Sequence, residues 1–528
     1  MPDKKKILMV SKGFVTDEDR LMFLNPIQWF LQLKHQSTGQ SKDRYEWLLP
    51  VLYFENTQTV LNQIVTASPD VLVLSVYAWN REALNEIADN YKKHRPDSIV
   101  IVGGPDIDAH KNKKFFEKHP YVDYAIYGDG EEIFSDLLDK LVGYQVGELC
   151  NLVEPGDGEP IVHTHKVFKD KDVLSQSPYL TFSKELTATS DLLRQEYPDL
   201  KQCIVWETVK GCPYKCSYCD WSAGLHNKVR SWKDNAHAEL DLFSQLKFEY
   251  IEWTNPNYGL MKEDVDIATA WAQLYHDGEW CPKAFSWNFA KLDKRKSMEI
   301  FKLFVDAKIA FFLKFDVQDA DMDVLKLNDR PEQPMEELLP LMKRVAAEYP
   351  DLVRHERSRI NYILGLPGQT FNSFIDNLKQ SFDVGLRPNH FALQLVPNSP
   401  AGDPLFKRLH KLETRTLVTI SKQFSTAYIG ESDIENSELE NNRNLDAVVS
   451  TRYLNSTEWV SCMLMDLYIK SRWYKTPSDQ LQAQILANID YFKSMAEPIV
   501  QHNTNKDVFI LGTPADGNWL PIKFKELA

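Results

Sequence analysis

The chain lacks any run of about 18 consecutive apolar residues, which excludes a membrane-spanning helix of ordinary length. Cysteine is scarce, with seven in 528 residues, too few for the disulfide framework of an exported protein. The opening MPDKKKILMV has a basic cluster, but its apolar run stops at Ser11 and Lys12, so it reads as a first strand and not as a signal peptide. These absences predict a reducing, cytoplasmic setting. Positive charge is also short: 61 Lys and Arg stand against 75 Asp and Glu, a net charge of −14. That balance is a poor match for phosphate backbones, so neither a nucleic-acid nor a membrane partner is expected. No internal repeat and no low-complexity tract occurs. What is present is a 43% hydrophobic composition and length enough for about two to four domains.

Residues 1–145 alternate apolar strands with amphipathic helices. The strand candidates are KKILMVSKGF, YEWLLPVLYF, DVLVLSVYAW, SIVIVGGPD and VDYAIYG, and the helices between them include TVLNQIVTA, REALNEIADNYKKH, NKKFFEKH and EEIFSDLLDKLV. This order predicts a doubly wound parallel sheet with helices on both faces. Ligands of such sheets bind beyond the carboxyl ends of the strands. Residues 146–198 form a turn-rich connector containing EPGDGEP. A second βα series, placed at 199–429, has the strand candidates QCIVWETV, FEYIEWT, AFSWNFA, IAFFLKFDV, RINYILGL and FALQLV. Six βα units predict an open, partial barrel. The acidic GESDIENSELENNRNLD reads as a linker or exposed loop, and 430–528 is expected to be mostly helical.

The densest chemical signal is KGCPYKCSYCDW, where Cys212, Cys216 and Cys219 are spaced C-x3-C-x2-C just after the first strand of the second series. A zinc site normally takes a fourth Cys or His, and His226 is near enough in sequence to serve. Three unrelated buried thiols are the second reading, and the tight spacing argues against it. The third is a 4Fe-4S cluster held by three thiolates, with one iron open to an external ligand.

This stretch resembles the radical S-adenosylmethionine (SAM) superfamily, whose signature is C-x3-C-x-aromatic-C, with Tyr218 in the aromatic place. The resemblance implies a partial (βα)6 barrel. It implies a 4Fe-4S cluster on the three cysteines, with SAM chelated at the open iron and cleaved to a 5'-deoxyadenosyl radical. It extends over about Gln202 to Leu412. TNPNYG places Asn255 and Asn257 near the methionine end of SAM. AFSWNFAKL places Ser286 and Asn288 at the third strand's end, and FDVQDADMDVLKLNDR places Gln318 at the fourth. YILGLPGQT resembles the motif that lies along the adenine, with Gly365 and Leu366, and LQLVPNSPAG resembles the sixth-strand end. Lys210, Lys215, Lys228 and Arg230 read as a solvated face.

The first domain resembles the cobalamin-binding domain of the cobalamin-dependent radical SAM subgroup. The likeness lies in LSVYAWNREALNEIADNYKKHRPDSIVIVGGPDIDA and YAIYGDGEEIFSDLL. Ser75 begins the Ser-x-Leu-like segment, Gly103 and Gly104 form the glycine pair, and Gly128, Asp129, Gly130 and Glu131 follow. The D-x-H-x-x-G motif that supplies a cobalt-ligating histidine is missing: SKGFVTDEDR has no histidine, and Leu33 and Thr38 flank His35 where Asp and Gly should stand. Either cobalamin binds without a protein histidine ligand, which is the expectation carried forward, or the domain is a relic that binds none. The resemblance implies a cobalamin-dependent methyltransferase acting on an unactivated carbon of a small-molecule or peptide substrate, with an electron donor such as flavodoxin or ferredoxin. The alternatives are a radical rearrangement, cyclisation or ring-contraction enzyme and, outside enzymes, an iron–sulfur or zinc protein that binds a partner.

Overall fold

In the computed structural model, strand Lys5–Lys12 pairs in parallel with Tyr45–Trp47 and Val51–Tyr53 on one side and with Val71–Ser75 on the other. Ile99–Gly103 and Tyr124–Ile126 continue the parallel ladder. The structure describes every residue apart from 1–2, 13–14, 17–20, 26, 54–56, 78–79, 167–175, 223–228, 232–234, 256, 286–293, 311, 331–334, 356, 420–445, 507, 516–517, 521 and 528. Pro50, which has no N–H to give a ladder, separates the two short halves of YEWLLPVLYF. Taking those halves as one strand, the order is 2-1-3-4-5, a doubly wound sheet whose direction of winding reverses between Lys5–Lys12 and Val71–Ser75. Helices Thr57–Ala67, Arg81–His94 and Glu131–Leu141 cover it. NKKFFEKH forms only the short helix Phe115–Lys118. Leu152–Glu154 and Ile161–Val162 extend the sheet in the antiparallel sense.

The barrel strands are Lys201–Trp206, Tyr250–Trp253, Lys283–Ala284, Lys314–Gln318, Arg359–Leu364 and Arg387–Ala392. All neighbours within each group of three are parallel. Their outward residues, among them Ile204, Trp206, Ile251, Trp253, Ile360 and Tyr362, join one core with the surrounding helices. The sheet also takes strand Leu21–Leu24, which pairs in parallel with Lys201–Trp206. Residues from both sides of position 145 thus build the barrel sheet.

Beyond the sixth strand, Asp446–Ser450 closes on it, with Val448 N donating to Leu393 O at 2.8 Å. Helices Ser456–Arg472, Ser478–Ala487 and Ile489–Asn503 follow. The first is capped by Asn455 and Glu458, which bond each other's backbone N–H groups. Trp459, Leu464 and Tyr468 bury against Leu364 and Phe374 of the barrel. The carboxyl-terminal region is mostly helical, with the further strand Val508–Leu511 against Glu413–Thr419. Among the described residues no helix is long and apolar enough to cross a membrane.

Candidate active site

The three cysteines sit in the segment that leaves the first barrel strand. Cys212 and Cys216 are buried and Cys219 is half-buried. The segment is anchored at its centre. Ser217 N donates to Asn328 O at 2.9 Å, Ser217 Oγ donates to Asn328 Oδ1 at 2.8 Å, and Ala401 N donates to Ser217 O at 2.8 Å. Asn328 also gives its amide to Val324 O and to Pro367 O, at 2.8 and 2.9 Å. One buried side chain therefore joins the cysteine loop, the segment after the fourth strand and the fifth-strand glycine turn. Arg330 adds a second tie, donating to the Tyr218 hydroxyl at 2.8 Å and to Asp316 O. Burial raises the Tyr218 pKa, against the opposing pull of the Arg330 guanidinium.

Asn257 Nδ2 lies 3.6 Å from Cys212 Sγ, a weak hydrogen bond that brings the second strand's loop onto the triad. Asn255 is equally buried. Its Oδ1 accepts from Thr208 N, Thr208 Oγ1 and Val209 N at 3.0–3.3 Å, and its Nδ2 faces Asp264 at 3.4 Å. That side chain holds the exit of the first barrel strand in place. Leu366 and Tyr218 meet in one apolar cluster with Val324, Leu393 and Val448. Gly365 has φ +96°, and a Cβ there would meet Val448 at 3.4–3.6 Å, so this glycine faces the carboxyl-terminal strand. Gln318, after a bulge in the fourth strand, has φ +74°. Ser286, Asn288, His226 and Lys228 lie outside the described residues.

Among the described residues, no three or more His, Cys, Asp or Glu side chains are gathered tightly enough to hold one metal ion. The ligands of a cluster bind different irons, so they stand further apart than the ligands of a single ion. The donor set, three soft thiolates on one anchored loop, suits an iron–sulfur cluster.

Ser75, Gly103, Gly104, Gly128 and Gly130 all lie at or just beyond the carboxyl ends of neighbouring strands of the first sheet, the ligand-binding edge of this topology. Gly104 has φ +116°, and a Cβ there would stand 2.4 Å from Val76 O. The glycine therefore lets its turn close on the Ser75–Tyr77 segment. Asn80 locks that segment by donating to Ser75 O at 3.0 Å and accepting from Tyr77 N at 2.7 Å. Gly130 precedes helix Glu131–Leu141 as its cap. His35 is buried on the opposite edge, beside Tyr45 and Trp47, with Nε2 3.0 Å from Ser41 Oγ. Burial lowers its pKa to about 4, outweighing the attraction of Asp139. It is a core histidine, distant from the ligand-binding edge.

The two ligand edges face each other. Lys210, two residues before Cys212, pairs with Glu131 and lies 3.8 Å from Asp129. Despite burial, these carboxylates hold its pKa above the usual lysine range. The expected solvated face is thus corrected at Lys210, which is a largely buried latch, while Lys215 is exposed. Asn398, in the sixth-strand loop, donates to Pro105 O and Ile107 O beside the glycine pair, at 3.0 and 3.1 Å. Burial raises the Tyr77 pKa. Its phenol bonds Ser75 and Asn25, within electrostatic reach of Glu207 and Asp220, the residue after Cys219.

Inside the barrel, Asn361 donates to Asp316 Oδ1 at 2.6 Å and accepts from Asn389 at 2.9 Å, a polar row across three strands in register. Sequence reasoning missed Asn328, Arg330, Asn398 and the Lys210 latch. Each acts through a partner more than 70 positions away, a separation at which sequence carries no sign of contact.

A family model described as "B12 binding domain" matches residues 51–138. The chain is 30% identical over 425 residues to the cobalamin-dependent radical SAM methyltransferase TokK of Streptomyces tokunonensis. It is 28% identical over 426 residues to 2-(S-pantetheinyl)-carbapenam-3-carboxylate methyltransferase of Streptantibioticus cattleyicolor. Each match covers 79% of this chain and 58% of the relative, so the chain spans less than two thirds of these relatives' length. Among solved structures, the cobalamin-dependent SAM radical enzyme OxsB with aqua-cobalamin and SAM bound superposes with TM-score 0.59 at 13% identity, covering 95% of this chain and 73% of that one. The radical SAM methyltransferase TsrM from Kitasatospora setae, with tryptophan and a SAM analogue bound, gives 0.61 at 12%, covering 94% and 99%. These two structures share the fold. In its cysteine triad, its first sheet and this likeness along most of its length, the chain is similar to the cobalamin-dependent radical SAM enzymes, and its residues 51–138 match the B12 binding domain.

Proposed function

We propose that the protein is a cobalamin-dependent radical SAM methyltransferase that methylates an unactivated carbon of a small molecule. The observation that carries this reading is the opposition of the two ligand edges, held by Lys210 with Glu131 and Asp129 and by Asn398 with the glycine-pair turn. Cys212, Cys216 and Cys219 would hold the 4Fe-4S cluster, and Ser75, Gly103, Gly104, Gly128 and Gly130 would line the cobalamin. When bound, the cluster supplies the electron that splits SAM into methionine and a hydrogen-abstracting radical, and cobalamin supplies the methyl carrier.

The chain's own residues bind, orient and exclude water. Asn328 and Arg330 keep the cysteine loop against the barrel mouth. Tyr218 and Leu366 offer an apolar wall suited to the adenine, with Asn257 beside the cysteines for the methionine end. The polar row Asp316–Asn361–Asn389 gives the barrel interior acceptors and donors for a polar substrate. Fixing reactants in one geometry is the protein's share of such catalysis.

The test is anaerobic reconstitution with iron, sulfide, cobalamin, SAM and a reductant, followed by mass spectrometry. Formation of both deoxyadenosine and S-adenosylhomocysteine with a candidate substrate supports methyl transfer. Deoxyadenosine with a rearranged, unmethylated product overturns it in favour of rearrangement chemistry.

A further inference from the structure

In a chain of net charge −14, one face is basic. It comprises helix Pro404–His410, the following turn and strand start to Arg415, and the loop Thr451–Tyr453. Among the described residues, Lys407, Arg408, Lys411, Arg415 and Arg452 stand on these segments with the carboxylates Asp403 and Glu413. Glu413 is paired with Arg415 at 2.7 Å, and Asp403 caps the helix by accepting from Leu405 N at 2.7 Å. His410 adds no charge at neutral pH, because burial lowers its pKa and Arg452 lowers it further. Lys407, Arg408, Lys411 and Arg415 line one open groove with Leu412, Glu413 and Thr414.

Apolar surface stands among these cations. Leu405 is 65% exposed, Leu409, one helical turn on, is 59% exposed, and Tyr453 is 45% exposed. Arg452 N bonds His410 O at 3.0 Å, which seats the Tyr453 loop against this helix. Apolar anchors rimmed by charge of one sign are the usual make-up of a protein-binding face with an oppositely charged partner.

The inner side of this face is the cysteine loop. Ala401, three residues before the helix, bonds Ser217 between Cys216 and Cys219. Leu412 packs on the same small apolar cluster as Tyr218, the neighbour of Cys219. Six residues separate Ala401 from Lys407, a span of at most about 21 Å even if fully extended and shorter with the helix. The basic helix and the cysteine loop are thus joined through Ala401–Ser217 and through the cluster that Leu412 and Tyr218 share.

We propose that this face docks an acidic one-electron carrier protein of the flavodoxin type, which reduces the cluster. The proposal rests on the functional reading above. In the step, the carrier's reduced flavin loses one electron and the cluster gains one, and no atom or proton need move between the proteins. Charge complementarity commits the face to an acidic partner, and steering of this kind acts on encounter and is screened by salt.

The experiment uses the full chain with its cluster reconstituted, and a Lys407→Glu/Arg408→Glu/Lys411→Glu variant of equal iron content. Binding of flavodoxin is measured at low and high salt without SAM. SAM cleavage is then driven either by reduced flavodoxin or by dithionite. The expected result is flavodoxin affinity weakened by about tenfold or more at low salt, with the salt dependence largely lost. Flavodoxin-driven cleavage should fall in step, and dithionite-driven cleavage should be unchanged. Leu405→Ala/Leu409→Ala should weaken binding at both salt levels. Unchanged flavodoxin binding in the charge variant overturns the proposal, and so does an equal fall in the dithionite-driven rate. Absence of SAM cleavage in both proteins would instead sink the functional reading, and the binding difference would still decide the docking face.

Discussion

Replacing Lys210 by Met keeps most of the stem's packing and removes the charge. Two carboxylates, Glu131 and Asp129, then remain largely buried without their cation. At about 4 Å and an effective dielectric of about 20, each pair is worth about 4 kcal/mol of direct attraction. Desolvation of the lysine offsets much of this. Removing one partner of a buried pair typically costs about 3–5 kcal/mol. We expect Lys210→Met to lower stability by about 3 kcal/mol, Glu131→Gln by about 1–2 kcal/mol, and the double variant by less than the sum. The assay is urea unfolding followed by tryptophan fluorescence, with the four proteins forming a double-mutant cycle. A coupling energy indistinguishable from zero would refute the latch. Because Lys210 lies two residues before Cys212, the same variant should also retain less iron after gel filtration, and Glu131→Gln should lower iron retention to a smaller degree.

Cys216→Ala should abolish the visible iron–sulfur absorbance and SAM cleavage together, and normal deoxyadenosine formation in that variant would refute the cluster assignment. Gly104→Ala puts a methyl group where Val76 O stands, at a φ that L-residues avoid. It should destabilise the first domain by about 2 kcal/mol or more and thereby weaken cobalamin binding; a fully stable variant would show that the turn can relax. Glu239 accepts from Trp206 Nε1 at 2.6 Å, and burial pushes its pKa from 4.5 up to about 7. The folded protein therefore holds a proton that the unfolded chain releases, so this stability is full below pH 4.5 and lost as pH rises through 7. Glu239→Gln should match the wild type near pH 4 and exceed it by up to about 3 kcal/mol at pH 8; a pH-independent difference between the two would contradict that account.

The parts legible in sequence were those with short-range signatures. Apolar runs such as DVLVLSVYAW and RINYILGL marked central strands because both faces of a parallel sheet are buried. The triad was readable because its ligands fall within eight residues. Roles set by distant partners were not readable. Lys210 looks like one of several surface lysines until helix Glu131–Leu141 is folded beside it. Asn255 belongs to a turn-like NPN, yet its oxygen is taken up by Thr208 and Val209. Gly365 was expected along the adenine, and Val448, more than 80 residues later, occupies the space beside its Cα. Leu21–Leu24 carries no mark that it will pair with a strand about 180 positions away.

That last strand constrains how the halves of the molecule can move. The chain passes from the first sheet to the barrel sheet between Lys12 and Val15, and returns between Leu24 and Ile27 toward a helix that packs beside Glu131–Leu141. With the chain between Val162 and Lys201, three covalent threads cross between the two sheets, and two of them are only two residues long. A hinge on a single linker could swing wide, but two such short tethers permit little more than a shallow rocking. The gap between the two ligand edges is thus bounded by the backbone itself. A fragment starting after residue 145 would also leave the edge of Lys201–Trp206 without its neighbour, an open ladder prone to pairing with other chains.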